Sequence, residues 1–184
     1  MKGEPIVRSE AAGELVVVSG PPGAGKSTVA SRLVERGTRS ALVEGDAVFG
    51  FLRQGFIDPW LPESRRQNDV VTGAAAAVAG RFAAGGYWTV YDGVVGPWYL
   101  DDFFAATALD ALHYAVLLPP AATCVARVTG RRDHGFTDPQ ATLRMHAQFS
   151  AAKLDRRHVF DDADCDVLAE LVLDAVRSGT IQTT

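Results

Sequence analysis

Cysteine, positive charge and long apolar runs are all scarce in this sequence, and each scarcity excludes a class of protein. The two cysteines, Cys124 and Cys165, have no C-x-x-C spacing, which excludes a disulfide framework and predicts two reduced thiols in a cytoplasmic protein. The formal net charge of −4 leaves no basic face for nucleic acid. No apolar run approaches the roughly 18 residues of a membrane span, and residues 1–13 lack the apolar core of a signal peptide. We therefore expect no nucleic-acid or membrane partner, and the sequence leaves both a monomer and a homodimer open.

Short apolar runs alternate with longer helical patterns along the chain. This alternation predicts an α/β fold with a parallel sheet, in one domain spanning residues 1–184. The predicted strands cover residues 15–18, 41–44, 87–91, 112–118 and 158–160. The predicted helices cover residues 27–36, 63–84, 120–128, 139–152 and 164–177. We expect a polar loop at residues 129–137 and a frayed tail at residues 179–184.

The strongest motif begins where the first predicted strand ends. Residues 20–27 read GPPGAGKS and fit the P-loop pattern G-x-x-x-x-G-K-S/T between a strand and a helix. Glycines let consecutive backbone N–H groups converge on one phosphate, and the start of the helix adds partial positive charge. Lys26 supplies a full charge to the β- and γ-phosphates, and the Ser27 hydroxyl binds Mg²⁺. The expected nucleotide-binding residues of this loop are Gly20, Pro21, Pro22, Gly23, Ala24, Gly25, Lys26, Ser27 and Thr28.

Three arginines come near the predicted loop at residues 129–137. Arg127, Arg131 and Arg132 bring guanidinium groups that can neutralise a bound triphosphate. The alternative is an ordinary solvated surface loop. No N-K-x-D-like segment, which reads guanine in GTPases, is present in the sequence. The pattern therefore favours a small kinase in which Lys26, Arg127 and Arg131 stabilise charge during phosphoryl transfer.

Two segments of the sequence resemble a known family. Residues 127–136, RVTGRRDHGF, are similar to the R-x-x-x-R-K-x-H-F lid of gluconate kinases, with Gly135 as an additional residue before the phenylalanine. Residues 43–46, VEGD, resemble the E-G-D of the same enzymes, and the order of elements agrees along most of the chain. The sequence thus resembles P-loop small-molecule kinases of the gluconate and shikimate kinase type. It is also similar to chloramphenicol phosphotransferases, which carry an aspartate just after the second strand, as Asp46 is here.

This resemblance implies a three-layer P-loop NTPase fold. Its five-stranded parallel sheet is of the nucleoside-monophosphate-kinase type, with helices on both faces and an Arg-rich lid at residues 129–137. The resemblance also implies that Arg127 lies near the adenine or the phosphates and that Arg131 reaches the phosphates. The implied cofactors are ATP and Mg²⁺.

Two aspartates follow strands, at the sheet edge where open α/β folds place their ligands. Asp46 comes two residues after the second predicted strand, and we expect it to hold the acceptor hydroxyl and take its proton. The alternative for Asp46 is a helix cap. Asp92 ends the third strand and is the candidate for holding a Mg²⁺-bound water or the substrate, unless it is a turn residue before Gly93. Glu44 is the lesser candidate for either carboxylate role.

The acceptor-binding region is expected at residues 46–67 and 93–102. Aromatic side chains in these segments suit a flat or partly apolar acceptor, whereas their arginines suit a carboxylate or phosphate on the acceptor. The sequence offers both and does not choose. The side chains expected to contact the acceptor are Asp46, Arg53, Trp60, Arg65, Asp92 and Trp98.

Taken together, these features predict an ATP-dependent phosphotransferase that moves the γ-phosphoryl group to a hydroxyl of a small molecule, a sugar acid or a related metabolite. One alternative is an antibiotic-inactivating O-phosphotransferase, which uses the same machinery on another acceptor. A second alternative is a nucleotide-dependent switch or toxin-like module whose partner is a protein.

Overall fold

The computed structural model describes residues 13–130, 136–161 and 164–184. Its strands are β1 (Leu15–Ser19), β2 (Ser40–Glu44), β3 (Trp88–Asp92), β4 (Leu112–Leu117), β5 (Val159–Phe160) and β6 (Gln182–Thr183). Its α-helices are α1 (Lys26–Val34), α2 (Gly45–Phe49), α3 (Arg65–Ala84), α4 (Leu100–Thr107), α5 (Ala121–Thr129), α6 (Pro139–Ala151) and α7 (Cys165–Arg177). Short 3₁₀ turns at Pro62–Ser64, Pro97–Tyr99 and Arg156–His158 lead into α3, α4 and β5.

The strands form a single twisted array with β1 near its centre. The order is β2-β3-β1-β4-β5 with every neighbour pair parallel, and β6 adds to β4 in the antiparallel sense. Val17 of β1 is paired with Tyr91 of β3 on one side and with Tyr114 of β4 on the other. Because the central strands are parallel, the turns that follow β1, β2 and β3 all emerge at the same sheet edge. The predicted five-stranded parallel sheet with helices around it is confirmed.

The two faces of the sheet are covered by different helices, which explains why the central strands are apolar on both faces. On one face, side chains such as Val17, Val43 and Tyr91 pack with α3 and α4. On the other face, Val18 and Val90 pack with α1 and α7. In the described ranges, no helix combines the length and the apolarity needed to cross a membrane.

The C-terminal tail is ordered, so the predicted frayed end is wrong. Gly179 adopts a φ of +70° and reverses the chain after α7. Ile181 is then fully buried on the α1 and α7 face, and its carbonyl accepts a hydrogen bond from Tyr114 N–H at 3.0 Å. The tail's polar composition concealed the fact that a single apolar residue fills space beside β4.

Three short elements were not predicted from the sequence: α2, α4 and β6. Each covers so few residues that it carries little hydrophobic periodicity. The first two lie within or next to the segments expected to bind the acceptor, at residues 46–67 and 93–102. The predicted lid falls partly outside the description, because residues 131–135, including Arg131, lie outside the described ranges.

Candidate active site

The loop between β1 and α1 has the backbone shape of a P-loop. Gly23 and Gly25 adopt φ angles of +79° and +100°, a conformation that residues with a side chain rarely adopt. A Cβ atom at Gly20 would collide with the Leu117 carbonyl at the end of β4, and one at Gly23 would collide with the Cys124 backbone in α5. The glycines therefore let the loop pack directly against β4 and α5, which hold its shape.

The first turn of α1 presents backbone donors to solvent. Gly25 caps the helix with no side-chain hydrogen bond, and Val29 N–H donates to the Gly25 carbonyl at 3.0 Å. The N–H groups of residues 26–28 consequently have no acceptor inside the helix, and the Ser27 and Thr28 side chains are exposed. Together with the partial positive charge of the helix start, these donors form a site that suits a phosphate chain.

Lys26 folds back over this loop. Its Nζ atom donates to the carbonyls of Gly20 at 3.0 Å and of Pro21 at 3.1 Å. Ala24, fully buried, donates its N–H to the Pro21 carbonyl at 3.2 Å and closes a tight turn inside the loop. The lysine charge therefore lies at the same loop whose backbone N–H groups are exposed at the start of α1.

Arg127 also lies against the P-loop. It is in the last turn of α5, and its Nη1 atom donates to the carbonyls of Gly23 at 3.3 Å and Ala24 at 3.2 Å. A Cβ atom at Gly25 would meet this Nη1 at 3.3 Å and the Cys165 sulfur at 2.7 Å. For Arg127 the solvated-loop alternative is therefore wrong, because the guanidinium is half-buried against the loop.

The two cysteines lie close to the same loop and are free, as predicted. Cys124 is buried and Cys165 is half-buried at the start of α7. Burial raises the pKa of the Cys124 thiol, although the positive charges of Lys26 and Arg127 oppose this. Cys124 therefore remains a neutral thiol that fills space behind the phosphate loop.

Asp92 is buried at the carboxyl end of β3, where it is 8% exposed. Successive side chains of a strand alternate between the two faces. Because Val90 packs on the α1 face, the strand directs Asp92 to that face as well. The backbone of Asp92 is paired with Val18, the penultimate residue of β1.

Asp46 lies on the neighbouring turn and is exposed in the first turn of α2. The N-cap of α2 is Glu44, and no side chain caps this helix. The predicted alternative that Asp46 caps the helix is therefore wrong. Among the described residues, no hydrogen bond or ion pair engages the Asp46 carboxylate, which is available to a ligand.

Tyr91 joins these two turns, and the sequence interpretation did not single it out. Its side chain is 3% exposed. A Cβ atom at Gly45 would lie 2.6 Å from the Tyr91 hydroxyl oxygen, and one at Gly93 would lie 2.5 Å from it. The hydroxyl therefore lies between the residue before Asp46 and the residue after Asp92. Burial raises the pKa of Tyr91 well above its usual value, and the negative charges of Asp46 and then Asp92 raise it further.

Two hydroxyl groups hold the turn after β3 through hydrogen bonds to its backbone. Ser19 Oγ donates to the Val95 carbonyl at 2.7 Å and accepts from Val95 N–H at 3.0 Å. The Tyr114 hydroxyl donates to the same carbonyl at 2.6 Å. Because Ser19 ends β1, these bonds tie the turn that follows Asp92 to the start of the P-loop.

The first acceptor segment is held on the start of α3 by side-chain amides. Gln67 accepts from Ile57 N–H at 2.8 Å and donates to the Ile57 carbonyl at 2.6 Å. Asn68 donates to the Pro59 carbonyl at 2.8 Å. Trp60 is consequently presented at the surface, 37% exposed, with its ring edge-on to Phe136 at a centroid distance of 5.0 Å.

The second acceptor segment, at residues 93–102, approaches the same helix. The Tyr99 hydroxyl is close to Asp69 and Asn68 in the first turns of α3; burial raises the Tyr99 pKa, and the Asp69 charge raises it further. The preceding Trp98 is 46% exposed and packs against Phe149 of α6 at 5.3 Å between ring centroids. The structure thus brings the two predicted segments together at the start of α3.

The predicted acceptor-side residues of the two segments differ in exposure. Arg53 and Arg65 are exposed, and Phe51, another aromatic residue of the first acceptor segment, is 74% exposed. Within the ranges that the structure describes, no group of three or more His, Cys, Asp and Glu side chains could enclose a metal ion.

The family follows from a match over most of this region. The model of the AAA domain family (AAA_33) matches residues 15–153, which include the P-loop, both aspartates and Arg127. The chain belongs to the AAA domain family. No curated protein matches the sequence.

Solved structures with the same fold include small kinases and a resistance protein. A sugar kinase from Janibacter sp. HTCC2649 has a TM-score of 0.67 at 20% identity, over 90% of this chain and 95% of that one. A gluconokinase from Sinorhizobium meliloti 1021 has a TM-score of 0.63 at 20% identity, over 92% and 94%. The tunicamycin resistance protein of Deinococcus radiodurans has a TM-score of 0.59 at 19% identity, over 91% and 96%. The predicted resemblance to small-molecule P-loop kinases is therefore confirmed at the level of the fold.

Proposed function

We propose that this chain is a Mg·ATP-dependent phosphotransferase that moves the γ-phosphoryl group of ATP onto a hydroxyl of a small molecule. The observation that carries the proposal is the convergence at one sheet edge. The P-loop donors, the Lys26 ammonium and the Arg127 guanidinium lie at the loop that would hold the phosphates, and two aspartates lie on adjoining turns. The kinase fold of the structural relatives supports the same reading.

In the proposed reaction, the acceptor oxygen attacks the γ-phosphorus while the bond between that phosphorus and the β,γ-bridging oxygen breaks. The electron pair of the broken bond leaves with ADP, and the hydroxyl proton passes to the Asp46 carboxylate. Lys26 and Arg127 stabilise the charge on the transferring group. Bound Mg²⁺ would neutralise charge on the β- and γ-phosphate oxygens, with the Ser27 hydroxyl and Asp92 available to hold it.

Arg131 and the remainder of the lid are part of the proposal on the strength of the gluconate-kinase resemblance. Arg131 would add charge to the same phosphates. The roles of Arg53, Arg65, Trp60 and Trp98 as acceptor contacts are likewise proposed, from their place in the segments at residues 46–67 and 93–102.

A second acceptor class is worth testing because the two acceptor segments carry large exposed aromatic rings. Phe51, Trp60 and Trp98 are 74%, 37% and 46% exposed, and exposed apolar side chains grouped on a surface mark binding sites more often than chance. These rings suit an acceptor with a flat apolar body, which would make the protein an antibiotic-inactivating enzyme. A sugar acid or related polar metabolite remains the first candidate because a gluconokinase shares this fold.

The deciding experiment measures ADP release from Mg·ATP across a panel of hydroxylated acceptors. The panel contains gluconate, shikimate, nucleosides, tunicamycin and chloramphenicol, and ³¹P NMR identifies any phosphate ester. We expect at least one acceptor to stimulate ADP release and to yield an ester. Lys26→Ala should cut that turnover at least about a hundredfold with the fold intact, whereas the exposed Lys153→Ala is the matched control.

Two results would contradict the proposal. One is ADP release in Lys26→Ala equal to that of the wild type. The other is slow ATP hydrolysis that no hydroxylated compound stimulates, which would favour a nucleotide-dependent switch.

A further inference from the structure

Tyr91 is a buried tyrosine whose hydroxyl has no hydrogen-bond partner among the described residues. Its ring is anchored in the core, edge-on to Phe103 at 4.8 Å between centroids. Three buried polar atoms in the described ranges are sealed from water without a partner, namely Arg32 Nη1, Asn68 Oδ1 and His113 Nδ1. The Tyr91 oxygen is not one of them. It therefore has no partner among the described residues and retains some access to solvent.

The surroundings of this hydroxyl place it between the two aspartate-bearing turns. It contacts the Cα positions of Gly45 and Gly93, where any Cβ atom would lie within 2.6 Å of the oxygen. Gly45 immediately precedes Asp46, and Gly93 immediately follows Asp92. The absence of a side chain at both positions leaves the hydroxyl uncovered.

The hydroxyl is a neutral donor beside two negative charges. Burial, followed by the charges of Asp46 and Asp92, raises the pKa of Tyr91, so the proton stays on the oxygen across the physiological range. Neither carboxylate accepts this proton in the structure, because no hydrogen bond joins Tyr91 to Asp46 or Asp92. The hydroxyl is therefore a donor that an oxygen atom of a bound ligand can satisfy.

We propose that the Tyr91 hydroxyl binds the acceptor, donating a hydrogen bond to the oxygen that Asp46 orients. This rests on the proposed function. A hydroxyl oxygen carries one proton and two lone pairs. With its proton directed to Asp46 and one lone pair directed to Tyr91, its other lone pair is free to face the γ-phosphorus. Tyr91 thus fixes the rotation of the attacking oxygen, which Asp46 alone leaves undetermined.

The primary test is Tyr91→Phe, which removes one oxygen and keeps the ring that packs on Phe103. Two activities are measured. The first is ATP hydrolysis without an acceptor, in which water takes the phosphoryl group, and the second is turnover with each compound of the acceptor panel that stimulates ADP release. Losing one neutral hydrogen bond should lower kcat/KM for the acceptor roughly 3- to 10-fold. The Kd of a Mg²⁺ complex of a non-hydrolysable ATP analogue should not change. Tyr87→Phe removes the same atom from a tyrosine just before the start of β3 and is the matched control.

A double-mutant cycle separates acceptor binding from a structural role. If Tyr91 and Asp46 act on the same oxygen, Tyr91→Phe should cost less in an Asp46→Asn background than in the wild type. A merely structural effect of Tyr91→Phe would be equal in both backgrounds and would also lower the unfolding midpoint.

Gly45→Ala gives an independent check of the geometry. The added methyl would lie 2.6 Å from the Tyr91 oxygen. Once that oxygen is removed, the nearest atom would be Tyr91 Cζ, at 3.2 Å. We therefore expect Gly45→Ala to destabilise the wild type and to cost less in the Tyr91→Phe background. The proposal is overturned by wild-type turnover in Tyr91→Phe, by a changed analogue Kd, or by equal costs of Gly45→Ala in both backgrounds. If the wild type itself shows no transfer to any acceptor or to water, the proposed function fails first and this assignment fails with it.

Discussion

The Arg127 guanidinium donates a hydrogen bond to the Ala24 carbonyl at 3.2 Å, across 103 positions of the chain. Parallel strand order makes this contact possible, because β1 and β4 are adjacent and the loops that follow them meet at one edge. The contact holds the outer rim of the P-loop in place. It also brings a permanent positive charge to the predicted phosphate site.

Replacing Arg127 should therefore weaken nucleotide binding rather than unfold the protein. Arg127→Ala removes two hydrogen bonds to loop carbonyls and one charge near the phosphates. We expect the Kd for Mg·ATP to rise roughly tenfold or more, measured by calorimetry. Arg127→Lys should restore the charge but little of the affinity, because an ammonium cannot reproduce the guanidinium fork.

The control for this change is Arg177→Ala at the end of α7, where an exposed arginine pairs with Asp174. An Arg127→Ala protein that binds Mg·ATP as tightly as this control would show that the contact has no role in nucleotide binding.

Substitutions of Asp46 and Asp92 should change the kinetics in different ways. Asp46→Asn keeps the shape of the side chain and removes the proton acceptor, so kcat should fall at least about tenfold with the Kd for Mg·ATP unchanged. Asp92→Asn should raise the Mg²⁺ concentration that gives half-maximal turnover, because its proposed role is to hold the metal. Steady-state kinetics over a range of Mg²⁺ concentrations distinguishes the two. Asp110→Asn, exposed before β4, is the control.

If both variants show the same Mg²⁺ dependence as the wild type, Asp92 does not hold the metal. If Asp46→Asn retains full turnover, the acceptor proton leaves by another route.

The buried tail makes a strong prediction about stability. Ile181 is completely buried between β4 and α7, so Ile181→Ala should lower the free energy of unfolding by about 2–5 kcal/mol. Urea denaturation followed by circular dichroism measures this change. The neighbouring Gln182→Ala is exposed and should have little effect. Equal free energies of unfolding for the two variants would indicate that the tail is frayed, as the sequence predicted.

His158 should make stability depend on pH in the mildly acidic range. Burial, the largest effect, lowers the pKa of His158, and Arg157 lowers it further, against the opposing influence of the Tyr114 carbonyl and Asp155. Nδ1 donates to that carbonyl at 2.8 Å. Because the pKa is lower in the folded state than the unfolded value of about 6.5, the unfolded chain binds the proton first. Stability is therefore present above pH 6.5 and declines as the pH falls below it.

His158→Asn keeps a donor for the Tyr114 carbonyl but cannot be protonated. Its unfolding free energy should decline less between pH 7 and pH 5 than that of the wild type. Identical declines would mean that His158 does not contribute to the acid sensitivity.

The sequence was sufficient for the parts of the site that are local. The P-loop is a contiguous motif with a strand before it and a helix after it, so Gly20, Lys26 and Ser27 were identifiable without a structure. The order of apolar runs was likewise sufficient for the parallel sheet, because each strand buried on both faces is an uninterrupted apolar segment.

What depends on long-range packing was not predictable. Tyr91 reads as one more aromatic residue of a buried strand, and its role becomes visible only when Gly45 and Gly93 are found on either side of its hydroxyl. Ile181 is a lone apolar residue in a polar tail, with no periodicity to mark it. The helix α2 is too short to be recognised by pattern, although it decides that Asp46 lies inside a first turn rather than at a cap.

Calorimetric titration of the folded protein with Mg·ATP analogue tests the central claim most directly. We expect one nucleotide to bind per chain, with Lys26→Ala losing most of the heat and Lys153→Ala retaining it. A folded wild-type protein that releases or absorbs no heat with any magnesium-loaded nucleotide would contradict the assignment of residues 20–27 as a phosphate-binding loop.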